Sequence, residues 1–128
     1  MIRRDGDKVR VVIVGELASK ANSRQAVPRK SKGGKAFVAF IKSDKALCWL
    51  DSAALQVPAL PDLLDGDLKI SVRIWYATRR PDLDPSLLFD FLQGRAFVND
   101  RQLREQHIYH CLDKLNPRVV ALIEPISP

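Results

Sequence analysis

From Leu68 to Tyr76 apolar and polar residues alternate. Leu68, Ile70, Val72, Ile74 and Tyr76 interleave with Lys69, Ser71, Arg73 and Trp75. This period of two predicts a strand over 68–77 with one face in a core and the other polar and basic. Residues 8–17, KVRVVIVGEL, are rich in Val and Ile and predict a first strand. Residues 117–125, PRVVALIEP, predict a last strand bounded by prolines, and 103–112, LREQHIYHCL, reads as a strand without a clean period.

Two segments carry helical spacing instead. In 43–57, Ala46, Leu47, Leu50, Ala54 and Leu55 mark one side of a helix with Ser43 as its N-cap. In 85–94, Leu87, Leu88, Phe91 and Leu92 form the apolar side, Asp84 stands as N-cap, Pro85 as the first helical residue, and Gly94 as the stop. Residues 58–67 end the first helix with prolines and a glycine turn, and 95–102 reads as a turn or short extended piece. Residues 18–38 are polar and basic and read as a loop, with Gly33-Gly34 as a hairpin turn into KAFVAFI. The expectation is one small α+β domain over 1–128. It has a mixed or antiparallel sheet of about four strands, two main helices, and a basic loop at about 18–36.

Composition adds the partner class. The 128 residues carry a net charge of +6, unevenly spread. Residues 1–46 hold 12 basic and 4 acidic side chains, and 47–128 hold 9 basic and 11 acidic. A basic part joined to a mildly acidic one predicts a polyanion partner; the bland alternative is a solvated basic surface. No apolar run reaches the roughly 18 residues of a membrane span, and the interrupted VVIVGEL argues against a signal peptide. Cys48 and Cys111 share no metal-type spacing; a disulfide, free core thiols and chance placement are all open, with free core thiols the expectation for an intracellular, cytoplasmic protein. The Gly33-Gly34 pair lacks the Gly-Lys-Ser/Thr ending of a phosphate-binding loop. The polar face with Arg73 and Trp75 suits either nucleic acid or solvent.

Asp82 and Asp84 stand one residue apart between a predicted strand and a predicted helix, and Asp100 follows Asn99 further on. Hard divalent cations take oxygen ligands, and two aspartates around a tight turn can point at one ion. Such an ion activates water and stabilises charge on a phosphoryl oxygen. The same residues also suit capping and turn formation, and spacing alone leaves both readings open. Asp90 lies off the apolar side of its helix, where a solvated acid is expected. His107 and His110, three apart in a strand, face opposite ways and are read as structural or surface residues.

Taken in order, Pro81-Asp82-Leu83-Asp84, Asp90-Phe91-Leu92-Gln93-Gly94, Asn99-Asp100-Arg101-Gln102 and Pro117-Arg118-Val119 resemble the RusA-type Holliday-junction resolvases. The good match covers about residues 72–124, and LASKANSR (17–24) loosely matches the turn after that family's first strand. The resemblance implies a RusA-like fold and a homodimeric endodeoxyribonuclease that needs Mg2+ or Mn2+ and resolves four-way junctions in a bacterial or phage-infected cell. It places catalytic, metal-holding carboxylates at Asp82, Asp84 and Asp100, with Asp90 at the family's helix aspartate as a further candidate ligand. DNA would be gripped by Lys20, Arg24, Arg29, Lys30, Lys32, Lys35, Arg73, Arg79, Arg80 and Arg101. This chain departs from the family at Pro85, where the family has Asn, and at Leu88, where it has a catalytic Lys. Arg79, Arg80, Arg95 and Arg101 are the candidates to supply that missing charge. A branched-DNA-binding protein of the same fold with weak or lost catalysis is the alternative, and a basic scaffold protein whose aspartates only cap and turn is a third reading.

Overall fold

The structure is a computed structural model that describes residues 1–19, 24–30, 36–42, 44–79 and 83–126; the side chains of 24–30 and 36–42 are outside the description. A five-stranded mixed sheet is built from β1 (Ile2–Asp5), β2 (Lys8–Val14), β5 (Leu68–Tyr76), β6 (Leu103–Leu112) and β7 (Arg118–Pro125), in the order β1-β2-β7-β5-β6. All neighbours are antiparallel except β5 and β6, which run parallel. Two helices, α1 (Asp44–Gln56) and α2 (Ser86–Leu92), complete the α+β domain.

The sheet has five strands where about four were expected. The extra one, β1, is a short polar strand without an apolar period, held by its hairpin with β2 around Gly6. Part of the expected basic loop is also a strand. β3 (Arg24–Lys30) pairs antiparallel with β4 (Ala36–Lys42), from Arg24↔Lys42 to Lys30↔Ala36. Its basic ends and Pro28 hide it in the sequence, because proline and charge are depleted from strands in general. Gly33-Gly34 lies outside the described residues.

The inner face of the sheet is the core. Val9, Val11 and Ile13 of β2, Val119, Ala121 and Ile123 of β7, and the even positions of β5 are all buried. α2 buries Leu87, Leu88, Phe91 and Leu92, as its spacing predicts. α1 is turned from the expected face: Ala46, Trp49 and Ala53 are buried, while Leu47 and Leu55 are 44% and 90% exposed. Trp49 carries the largest apolar surface of the helix and meets Phe91 edge-on at 5.5 Å, which ties the two helices together. Gln56 closes α1 onto β2: its side-chain amide donates to the Val14 carbonyl (3.0 Å) and accepts from the Val14 N–H (2.7 Å), standing in for a strand partner beyond the end of β1. Both cysteines are free thiols, as expected, but Cys48 is exposed on α1 and Cys111 half-buried on β6, so neither is a core residue. No helix among the described residues is long and apolar enough to cross a membrane.

The outer face carries ion pairs with a consequence for acid stability. Arg118 donates to Asp113 at 2.8 Å and holds its carboxyl below the usual range. Lys69, 3.0 Å from Glu124, does the same for that residue. Both groups bind protons less readily folded than unfolded, so their contribution is present above the unfolded carboxylate range, roughly pH 4, and is lost as pH falls through the lowered folded values. Melting followed by circular dichroism at neutral pH and near pH 3 should show that loss, and Arg118→Gln should reduce its size.

Candidate functional site

The chain leaves β5 at Tyr76 and reaches α2 through 77–85. The Ala77 N–H donates to Glu16 at 2.7 Å, which fixes the exit of the strand. Asp84 is half-buried, and its Oδ1 accepts from the Ser86 N–H (3.0 Å) and the Ser86 hydroxyl (2.5 Å). Helix α2 begins at Ser86 with Pro85 in the cap position, one residue later than expected. Asp84 still satisfies an N–H of the first turn, which is the work of a cap from one residue further out. Gly94, with φ +84°, ends the helix as expected. Asp82, with Arg80 and Pro81, lies outside the described residues, as do Lys20, Lys32 and Lys35. Arg24, Arg29 and Lys30 lie on β3, placed by backbone alone.

Asn99 to Gln102 is more ordered than a plain turn. Asp100–Gln102 forms a single 3-10 turn with a capping box: Asn99 Oδ1 accepts from the Arg101 N–H at 2.9 Å, and Gln102 Oε1 accepts from the Asn99 N–H at 2.9 Å. Gln102 Oε1 also accepts from the Val98 N–H at 2.9 Å, while its Nε2 donates to the Leu64 and Gly66 carbonyls at 3.0 and 2.9 Å. Gln93, just past α2, accepts from the Asp100 N–H at 3.0 Å. The turn that carries Asp100 is therefore held by the side chains of Gln93, Asn99 and Gln102, while Asp100 itself stays exposed. Gln93 and Gln102 both stand in the quoted motif elements, but nothing in the sequence pointed to their roles as hydrogen-bond partners of this turn. Gln102→Ala leaves four backbone groups without their partner and should lower stability by about 2–3 kcal/mol, at roughly 1 kcal/mol for each net hydrogen bond, partly offset by water. Gln102→Glu keeps the oxygen that accepts from Val98 and Asn99 but turns a second acceptor on the Leu64 and Gly66 carbonyls, so it should cost at least as much as Gln102→Ala in a thermal melt at neutral pH.

The two described carboxylates are not neighbours within one protomer. Leu83, next to Asp84, shares a cavity with Tyr76 and Leu112, the last residues of β5 and β6. Asp100 precedes Leu103, which pairs with Leu68 at the opposite ends of those strands. Eight residue steps separate Leu68 from Tyr76, about 26 Å at about 3.3 Å per step. Helix α2 runs between Asp84 and Asp100. Ligands to one hard cation of this kind must each lie about 2 Å from it. Among the described residues no group of three or more His, Cys, Asp or Glu could hold a metal ion. Asp90 is half-buried on α2.

The cavity near Asp84, about 380 Å3, is lined by Tyr76, Thr78, Arg79, Leu83, His110, Cys111 and Leu112. His110 faces inward and its Nδ1 lies 3.2 Å from the Tyr76 hydroxyl, with the rings stacked at 5.8 Å. Burial lowers the His110 pKa, so its neutral form is favoured. His107 faces outward, 2.9 Å from Glu105, as opposite sides of a strand require. Of the arginines weighed against the family lysine, Arg79 lines the cavity beside Leu83. Arg95 instead stacks 4.7 Å from the Phe91 ring and donates to the Val57 carbonyl at 2.8 Å. Arg101 stays with Asp100 at the other end. Leu88, in the lysine position, is fully buried.

No known protein family matches the chain, and neither does any curated protein.

Proposed function

We propose that the protein is a metal-dependent endonuclease that cuts four-way DNA junctions as a homodimer. The observation that carries this reading is that Asp84, bonded to Ser86, and Asp100, in a turn bonded by Gln93, Asn99 and Gln102, each sit beside side-chain hydrogen bonds and follow one another in the resolvase-like motif order. Capping alone accounts for the contacts drawn above at Asp84. It does not account for the exposed Asp100, whose turn is capped by Asn99 rather than by itself.

One chain does not bring Asp84 and Asp100 within reach of a shared ion, so the reading requires the ligand set to form between protomers. A two-fold dimer repeats each contact, and it can set the Asp84 loop of one protomer against the Asp100 turn of the other twice over. Two equivalent sites then face a junction of near two-fold symmetry, which needs two cuts. Mg2+ or Mn2+, when bound, would supply an activated water and offset phosphoryl charge. The protein's own part is to hold the carboxylates rigid, and to place Arg79 beside the Asp84 loop as a cation for the phosphate. The arginines and lysines between Lys20 and Lys35 would contact phosphates in the arms without reading sequence.

The test is incubation of the full chain with a labelled four-way junction in Mg2+ and in Mn2+. Symmetric paired cuts are the expected result. Tight junction binding with no cutting in either metal would instead favour the branched-DNA-binding alternative, to which the burial of Leu88 already lends support.

A further inference from the structure

The outer face of the sheet sorts its charges into rows. Strand pairing aligns Asp5 with Lys8 and Glu124 with Lys69, and Lys69 in turn with Glu105. Lys8 and Lys69 lie 3.7 and 3.0 Å from Glu124, so one row crosses all five strands with alternating sign. Every carboxylate that the five strands carry on this face is in that row. The row lies at the Lys69 end of β5, away from the Asp84 loop.

The rows nearer the Asp84 loop carry cations and aromatics. Arg3 stands directly across from Arg10, and both line a cavity of about 290 Å3 with Lys8, Asp5 and Leu122. Like charges directly opposite on paired strands destabilise a sheet, so the arrangement is unfavourable without an anion. Arg73 lies across from Tyr109, 5.4 Å from its ring, and Arg118 lies across from Trp75, 3.9 Å from its ring. Stacking on a ring leaves the edge donors of a guanidinium free for phosphate. Arg118 also holds Asp113, in the loop after β6, whereas Arg3, Arg10 and Arg73 are exposed.

We propose that the rows of Arg3, Arg10, Arg73 and Tyr109 form a track for the phosphate backbone of a DNA arm, running over the open sheet face toward the Asp84 loop. The inference rests on the DNA-directed reading above and adds a second surface to the basic segment at 20–45. Charge complementarity selects nucleic acid as the occupant: the acids of the strands lie in the far row, and Arg3, Arg10 and Arg73 have no ion-pair partner among the described residues.

The experiment is junction binding by fluorescence anisotropy in EDTA, so that cutting is absent, over a range of salt. The triple variant Arg3→Gln, Arg10→Gln, Arg73→Gln should weaken binding about tenfold or more. It should also lower the slope of log K against log salt by about 0.9 for each phosphate contact removed. Lys69→Gln in the alternating row, which removes a charge at the far end of the sheet, should leave binding within about twofold. Arg10→Gln alone should raise the melting temperature slightly while weakening binding, an opposite pair of effects that a purely structural arginine would not give. A triple variant with wild-type affinity and slope overturns the proposal. So does a triple variant whose binding is intact but whose sedimentation changes, since the face would then join copies of the chain. If the wild type binds junctions but does not cut them, the nuclease reading fails while the track is still judged by the triple variant.

Discussion

A mixture of Asp84→Asn and Asp100→Asn protein is expected to nick four-way junctions that neither variant cuts alone. Each substitution keeps the size of the side chain. In Asp84→Asn the amide still offers an oxygen to the Ser86 N–H, and Asn caps about as well as Asp, so α2 should start as before. At position 100 the exposed carboxylate is replaced, while the turn remains capped by Asn99 and held by Gln93 and Gln102. Loss of cutting therefore reports chemistry rather than unfolding, and a melt close to wild type checks that. Losing even a residue that only orients a metal ligand costs roughly 10–100-fold, so each homodimer should lose at least that much. Subunit exchange then makes heterodimers. If each site takes Asp84 from one protomer and Asp100 from the other, one site in the heterodimer carries both substitutions and its mate carries neither. Nicked junctions accumulate, because paired cuts need both sites. If each site were built within one chain, every site in the mixture would carry one substitution and the mixture would stay inactive. An inactive mixture of folded, exchanging variants, beside an active wild type, removes the composite site.

The separation behind this test was available in the sequence only through topology. Asp82 and Asp84 follow one strand, and Asp100 precedes the next but one element on, with a helix between. A strand, a helix and a parallel strand place the residue after the first strand and the residue before the second at opposite ends of the sheet. What hid it was the direction of β6, whose segment LREQHIYHCL has no clean period because β6 is an edge strand: Gln106 and His110 face inward beside Ile108. Where a strand lies inside the sheet the alternation was legible, as in β5, buried at every even position. The turn of α1 was misread because leucines were weighted above Trp49, and a single buried tryptophan outweighs two surface leucines in apolar area. Gln102 was visible as a motif residue, yet two of its four hydrogen bonds reach Leu64 and Gly66, far back in the chain, and no local pattern announces such a partner.

Leu88→Lys should destabilise the fold rather than restore the lysine that the resolvase-like motif carries one helical turn after its second aspartate. Leu88 is fully buried between Leu87, Phe91 and Leu92, on the side of α2 that faces the core. An ammonium there has no carboxylate partner among its buried neighbours, and an uncompensated buried charge costs about 3–5 kcal/mol. For a domain of this size that lowers the melting temperature by on the order of 10–20 °C. Leu88→Met, which keeps the volume, should cost less than about 1.5 kcal/mol and separates packing from charge. A folded Leu88→Lys protein with faster cutting would place position 88 at the phosphate after all. The cation must otherwise come from a residue that already faces the Asp84 loop, and Arg79 is the described one that does so. Arg79→Gln should therefore leave the melt unchanged while slowing junction cutting about tenfold or more, since a charge-assisted contact to phosphate is worth about 1.5–3 kcal/mol. Arg95→Gln should do the reverse: its guanidinium packs on Phe91 and holds the Val57 carbonyl, so its loss falls on stability and leaves the phosphate untouched.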